Sequence, residues 1–215
     1  MLRTLTVLFV VAIAACSSAQ NAANPYSDAP DTRFLAAAPV KPVSSYTEAL
    51  QVWGDAEDLN AWISARFEYD SLRALRLSET QRDKPGRLPV YTPEDFFETA
   101  RGVCIDLTRF AVETLRVIDP RSEPAYLMLE FAPVSITGNT LRLHWLALYH
   151  RKEGYYFFAD SKRPGHIAGP YANAEQFIRE YAQYRGREVI SFREADSYER
   201  TLRKKAAQQL RGERP

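Results

Sequence analysis

Three apolar, aromatic-rich runs follow one another with almost nothing between them: AYLMLEFAPV from Ala125, NTLRLHWLALYH from Asn139 and GYYFFADS from Gly154. Each has the length and residue types of a strand, and the polar breaks between them, SITGN and RKEG, are turn signals. Strands joined by breaks this short must fold back on one another, which commits the middle of the chain to antiparallel pairing. The sheet needs apolar cover, and helical patterns on either side of it supply the means.

Upstream, DAEDLNAWISARFEYD starts with Asp55 as an N-cap and places Leu59, Trp62, Ile63 and Phe67 on one helical face. Trp62 belongs to that core stripe, and core packing is also the reading for Trp145. The segment Thr92-Pro93-Glu94-Asp95 is a second start signal, and its short helix, FFETAR, is expected to stop at Gly102. A third helix starts at Cys104 and runs to about Ile118. Leu107, Ala111, Leu115 and Ile118 form its inner stripe, and Asp106, Arg109, Glu113 and Arg116 its wet face. Between the first two helices, residues 78–89 read as a polar loop. After the sheet, NAEQFIREYAQYRG predicts a helix with Phe177, Ile178 and Tyr181 inward, and EVISF a further strand. Helices first and then a mainly antiparallel sheet give an α+β fold.

The N-terminus, MLRTLTVLFVVAIAACSSAQ, joins one Arg to a short apolar run ending in small residues before Cys16. A membrane span needs about 20 apolar residues, so this run suits a signal peptide instead. It resembles the lipobox of bacterial lipoproteins, which implies a signal over residues 1–15, lipid on Cys16 and anchoring to the membrane of the cell envelope. Ser17 rather than Asp after the cysteine points to the periplasmic face of the outer membrane. Residues 16–44, rich in Ala, Ser, Asn and Pro, read as the lipidated N-terminus and a flexible tether, residues 45–195 as the folded domain, and residues 196–215 as a basic, solvated C-terminal helix. A formal net charge of +1 gives no cause to expect nucleic acid as a partner. With no HExxH, no CxxC pair and no glycine-rich phosphate loop, no cofactor and no metal are expected.

The chain has 2 cysteines. With lipid on Cys16, Cys104 is the remaining thiol, in a compartment where thiols oxidise. Taken singly, Cys104 packs as a small hydrophobe. Its place in the first turn of a helix, however, is where the dipole and unpaired N–H groups stabilise a thiolate. A thiolate nucleophile needs a base, and there are 3 histidines. His144 lies mid-strand, on the face of Leu146 and Leu148 and opposite Trp145. His150 abuts the RKEG turn as a surface residue. His166, in the loop RPGHIAGPY, is the reserve base. Antiparallel pairing brings Asp160 back to about the level of Leu143 or His144, where it can orient the imidazole.

Through WISARFEYD, TPEDFFETARGVCIDL, HWLALY and YYFFADSKRPGHIAGPY, the chain resembles the transglutaminase-like superfamily, and within it the bacterial transglutaminase-like cysteine proteinases. The resemblance implies a papain-like fold, Cys104 as nucleophile, His144 as general base and Asp160 as the group that orients it. It implies a cysteine hydrolase, a protease or amidase, acting on an envelope protein or peptide through a thioester. Protein cross-linking by a transglutaminase and a non-catalytic binding module on a lipid tether stay open as alternatives. Two departures are visible. Val103 and Ile105 flank the cysteine where some relatives carry calcium-binding acids, and Glu98 stands near the turn where papain-like enzymes place an oxyanion-binding glutamine, leaving the second oxyanion donor unassigned. Tyr69 and Asp70 match the family pattern in type only.

Overall fold

The computed structural model describes residues 26–78, 88–136 and 138–199. The signal, Cys16, most of the polar loop after Ser78 and nearly all of the basic C-terminal segment lie outside the described residues.

The strand-rich middle forms the expected hairpins. β3 (Ala125–Ile136) pairs with β4 (Asn139–Arg151), which pairs in turn with β5 (Gly154–Phe158). Two flanking strands, β6 (Ala168–Tyr171) and β7 (Val189–Ala195), complete a five-stranded antiparallel sheet of order β6-β5-β4-β3-β7; a short parallel pair, β1 (Glu68–Tyr69) with β2 (Arg101–Gly102), lies apart from it.

Six helices accompany the sheet among the described residues: α1 (Tyr46–Val52), α2 (Ala56–Arg66), α3 (Ser71–Arg76), α4 (Pro93–Thr99), α5 (Cys104–Ile118) and α6 (Ala174–Arg185). Their starts follow the side chains. Asp55 accepts from the Asp58 N–H, Thr92 from that of Asp95 and Asn173 from that of Gln176. None of these helices is long and apolar enough to cross a membrane.

Alternation along the strands divides the core in two. Tyr126, Met128, Trp145, Ala147 and Tyr149 pack against α5 and the aromatic cluster of Trp53, Trp62, Phe96 and Phe110. On the other face, Leu127, Leu129, Leu146, Leu148 and Phe157 meet Phe177, Ile178 and Tyr181 of α6, with Phe157 and Phe177 stacked at 3.9 Å between centroids. The sheet is thus buried on both faces, and this is why its strands read as nearly continuous apolar runs.

Two local expectations are corrected. Helix α4 stops at Thr99, with Ala100 rather than Gly102 taking the left-handed cap at φ 49°. Gly102 serves close packing: a Cβ there would lie 2.9 Å from both Asp106 Cβ and Phe96 Cε2. Asp106, expected on the wet face of α5, is fully buried, because α3 and the segment from Pro89 to Tyr91 cover that side of the helix.

Arg73 grips the Asp106 carboxylate in a two-pronged pair, Nε to Oδ2 at 2.7 Å and Nη2 to Oδ1 at 2.8 Å. The same carboxylate accepts the Tyr91 N–H at 3.0 Å and the Val103 N–H at 3.1 Å, satisfying a donor at the start of α5. Asp106 therefore fixes the helix start on which Cys104 rides. Asp106→Ala strands a buried guanidinium and two backbone donors, and is expected to lower unfolding free energy by about 3–5 kcal/mol in urea titration.

Candidate active site

Cys104 is the first residue of α5 and is 8% exposed. At that position its backbone N–H points out of the helix start without an intrahelical acceptor, beside the positive end of the dipole. It sits among the core residues on the α5 face of the sheet. His144 lies on the opposite face, fully buried and stacked on Tyr181 at 5.9 Å between ring centroids. The two meet because β5 is short. Its ladder with β4 ends at Phe158 opposite Ala147, which leaves the edge of β4 open beside His144 for the first turn of α5 to approach. The Cys104 Sγ, a ring nitrogen of His144 and a carboxylate oxygen of Asp28 all lie within 4.8 Å of one another.

Asp160, just past the end of β5, meets the imidazole from the other side, with His144 Nε2 3.1 Å from Oδ1. The carboxylate is itself fixed. It accepts from the Lys162 N–H at 2.9 Å, from Arg163 Nε at 3.1 Å and from the Tyr181 hydroxyl at 3.1 Å. Holding Nε2 in this way sets the ring plane and leaves Nδ1 as the nitrogen available on the far side. The three residues singled out in the sequence thus come together, although they arise from a helix start, the middle of a strand and a strand end.

The other two histidines stand apart from this group. His166 packs against the ring of Phe34 at 4.8 Å between centroids, and its burial lowers its proton affinity. His150 lies beside Tyr155, 3.9 Å from a carboxylate oxygen of Glu123. Glu98 is exposed on α4. Tyr69 lines the cavity next to Cys104, and Asp70 caps α3 through the Arg73 N–H.

Two residues of the site escape the sequence reading. Asp28 comes from the segment expected to be a loose tether. Its Oδ1 stands 3.1 Å from His144 Nδ1, at ion-pair distance but out of line for a hydrogen bond. Arg185, buried in the last turn of α6, reaches the same Asp28 oxygen at 2.8 Å and donates to the Tyr181 hydroxyl at 3.2 Å. In sequence, Arg185 before Gly186 reads as an ordinary cation at a helix end, and no signal marks Asp28 at all. The tether reading therefore fails from Asp28 onward, and contacts with the domain begin well before Ser45.

The charges are strongly coupled. Burial by itself would lower the proton affinity of His144, but the Asp28 charge, Tyr181 and the Asp160 hydrogen bond outweigh it and hold the pKa well above the ordinary value. Burial would raise both carboxylates, yet His144 and nearby guanidinium groups hold Asp28 and Asp160 well below the usual carboxylate range. Tyr181 is pushed up to about 12 by burial and the Asp160 charge, and so stays a neutral hydroxyl. The two carboxylates thus favour the protonated form of the imidazole between them. Thiolate, imidazole and carboxylate are also a donor set that suits zinc. The Arg185 guanidinium pairs with the Asp28 carboxylate at this group, at 2.8 Å from Oδ1.

A cavity of about 260 Å³ opens beside Cys104, lined by Tyr26, Ser27, Asp28, Tyr69, Leu143 and Trp145 among others. The arrangement of Asp, Cys and His is compatible with the site of a cysteine hydrolase. No protein-family profile matches the chain, and no curated protein is similar to it in sequence.

The buried charges predict a pH profile for stability. Asp28 and Asp160 bind fewer protons folded than unfolded, so the stability they contribute is complete above about 3.9 and lost as the pH falls through their depressed folded values. His144 acts in the opposite sense. Its contribution is complete below about 6.5 and lost as the pH rises through its raised folded value. Urea midpoints measured from acid to alkali should peak between these limits, and Asp28→Asn should flatten the acid limb.

Proposed function

We propose that this chain is a cysteine hydrolase of the transglutaminase-like, papain-like type, cleaving an amide or peptide bond in the bacterial cell envelope. One observation carries the reading: a thiol at a helix start stands beside a buried imidazole whose Nε2 is held by a fixed carboxylate. A structural cysteine has no need of that arrangement, and a nucleophile does.

In the proposed reaction the Cys104 thiolate attacks the carbonyl carbon, and the oxyanion forms against the backbone N–H of Cys104. The His144 imidazolium gives its Nδ1 proton to the departing amine as the C–N bond breaks, leaving a thioester and a neutral imidazole. Water then loses a proton to Nδ1 and adds to the thioester. The carbon–sulfur bond breaks, and the carboxylic acid leaves with thiolate and imidazolium restored. Asp160 keeps the ring oriented and its charge compensated through both half-reactions.

The place of action is part of the proposal and is supported by the N-terminal sequence. A lipid on Cys16 would hold the domain at the periplasmic face of the outer membrane, within reach of envelope proteins and peptides.

An activated ester of an acylated amino acid tests the chemistry without knowledge of the natural substrate. Intact mass should show one acyl group on Cys104, and Cys104→Ala should abolish it. His144→Ala should slow acylation by at least about 100-fold, the usual scale of a lost general acid–base partner. Acylation of the His144→Ala protein at the unaltered rate would end the hydrolase reading.

A further inference from the structure

The segment that carries Asp28 is built into the domain rather than laid over it. The Asp28 carbonyl accepts from Ser161 Oγ at 2.9 Å. Three residues on, the Asp31 N–H donates to the Lys162 carbonyl at 3.1 Å, while its carboxylate pairs with Lys162 Nζ at 2.5 Å and accepts from the Tyr184 hydroxyl at 3.1 Å. Arg33 then donates to the carbonyls of Ser64 and Phe67 at the end of α2. The Phe34 N–H reaches the Pro164 carbonyl at 2.9 Å, and the Phe34 carbonyl accepts from Ser64 Oγ at 2.6 Å. Gly165 makes this approach possible. At φ +90°, a Cβ there would lie 2.1 Å from the Phe34 carbonyl oxygen, so no other residue type leaves room for the segment.

The segment runs along residues 160–166, the stretch that begins with Asp160, and delivers one carboxylate to the reacting corner. That carboxylate faces His144 Nδ1, the nitrogen left available once Asp160 holds Nε2. In the proposed reaction this nitrogen must exchange protons with the leaving amine and with water. The Cys104 sulfur also needs the imidazolium as its counter-ion, but an Asp28 carboxylate oxygen within 4.8 Å competes for the same charge and repels a thiolate. Arg185 holds the carboxylate in place from behind at 2.8 Å. A carboxylate next to the sulfur and the imidazole is also what the acid product of hydrolysis would present there.

We infer that residues 26–34 form an inhibitory strap, in which Asp28 fills a carboxylate subsite made by Arg185 and His144 and damps the reactivity of Cys104 until the strap is displaced. The inference rests on the cysteine-hydrolase reading of the same site. The strap is made to leave. None of residues 26–34 is fully buried, and the stretch joining it to α1 is largely exposed, with Leu35 95% accessible. Its hold on the domain is therefore polar, through the pairs of Asp28 with Arg185 and of Asp31 with Lys162, and its release leaves the apolar core in place.

The test is the rate at which iodoacetamide alkylates Cys104 in the full chain near neutral pH, followed by intact mass. Asp28→Gly should react about tenfold faster or more, as the competent fraction rises. Acetate, matched for ionic strength against chloride, should refill the vacated subsite and slow Asp28→Gly again while leaving the unaltered protein unaffected. Asp31→Asn loosens the strap at its second anchor, away from the imidazole, and should also accelerate the reaction. If both variants react no faster than the unaltered protein, whose rate falls on His144→Ala, the strap is overturned and the hydrolase reading stands. If Asp28→Gly reacts faster but keeps its whole gain in the His144→Ala background, the thiol is merely uncovered, and the coupled cysteine and histidine are overturned instead.

Discussion

A buried imidazole with a carboxylate on each side is the interaction around which this molecule is arranged. His144 has no exposed surface, and Asp28, Tyr181 and Asp160 around its two nitrogens raise its proton affinity against the effect of burial. Burying any one of these ions alone would be prohibitive, and together they are tolerable because they pair with one another and accept further hydrogen bonds. That requirement draws in Tyr181 and Arg185 from α6, Lys162 and Arg163 from the loop after β5, and Ser161, which ties down the Asp28 backbone. A strand, a helix, a loop and the N-terminal segment are therefore joined through one ring.

The sheet makes this junction possible by ending early on one side. Had β5 continued three residues further in the same register, it would have closed the edge of β4 at His144 and separated Cys104, on the α5 face, from His144, on the α6 face. Asp160 instead breaks the strand and turns back into the imidazole. The Arg73–Asp106 pair performs the matching task for the thiol, fixing the start of α5 through the Val103 N–H. Both devices are buried ionic contacts at the ends of elements, and both act by placing a side chain that they do not themselves contain.

The elements were largely legible, since each rests on local chemistry. The caps at Asp55 and Thr92, the α5 span from Cys104 to Ile118 and the three hairpin strands follow from side-chain type and period. The corrections have a common origin. Asp106 follows the polar phase of α5 and reads as solvated; only the arrival of α3 and of residues 89–91 buries it. Gly102 follows a helix and reads as its cap, yet it is needed for contact with Phe96 and Asp106. A partner supplied by a distant segment leaves no mark on the local pattern.

The site divides along the same line. By itself the sequence determined that a thiol would stand at a helix start and a histidine mid-strand in an antiparallel hairpin, with an aspartate at the end of the next strand, because period, caps and turns act within a few residues. The tertiary structure alone decided that α5 approaches β4 around an open edge, and that Arg185 faces the imidazole region. It alone also decided that Asp28, in an alanine- and proline-rich stretch, takes a place beside Nδ1. Those placements depend on long-range packing and on the pairing of buried charges, and such pairing is chosen by which groups lose water together, not by where they lie along the chain.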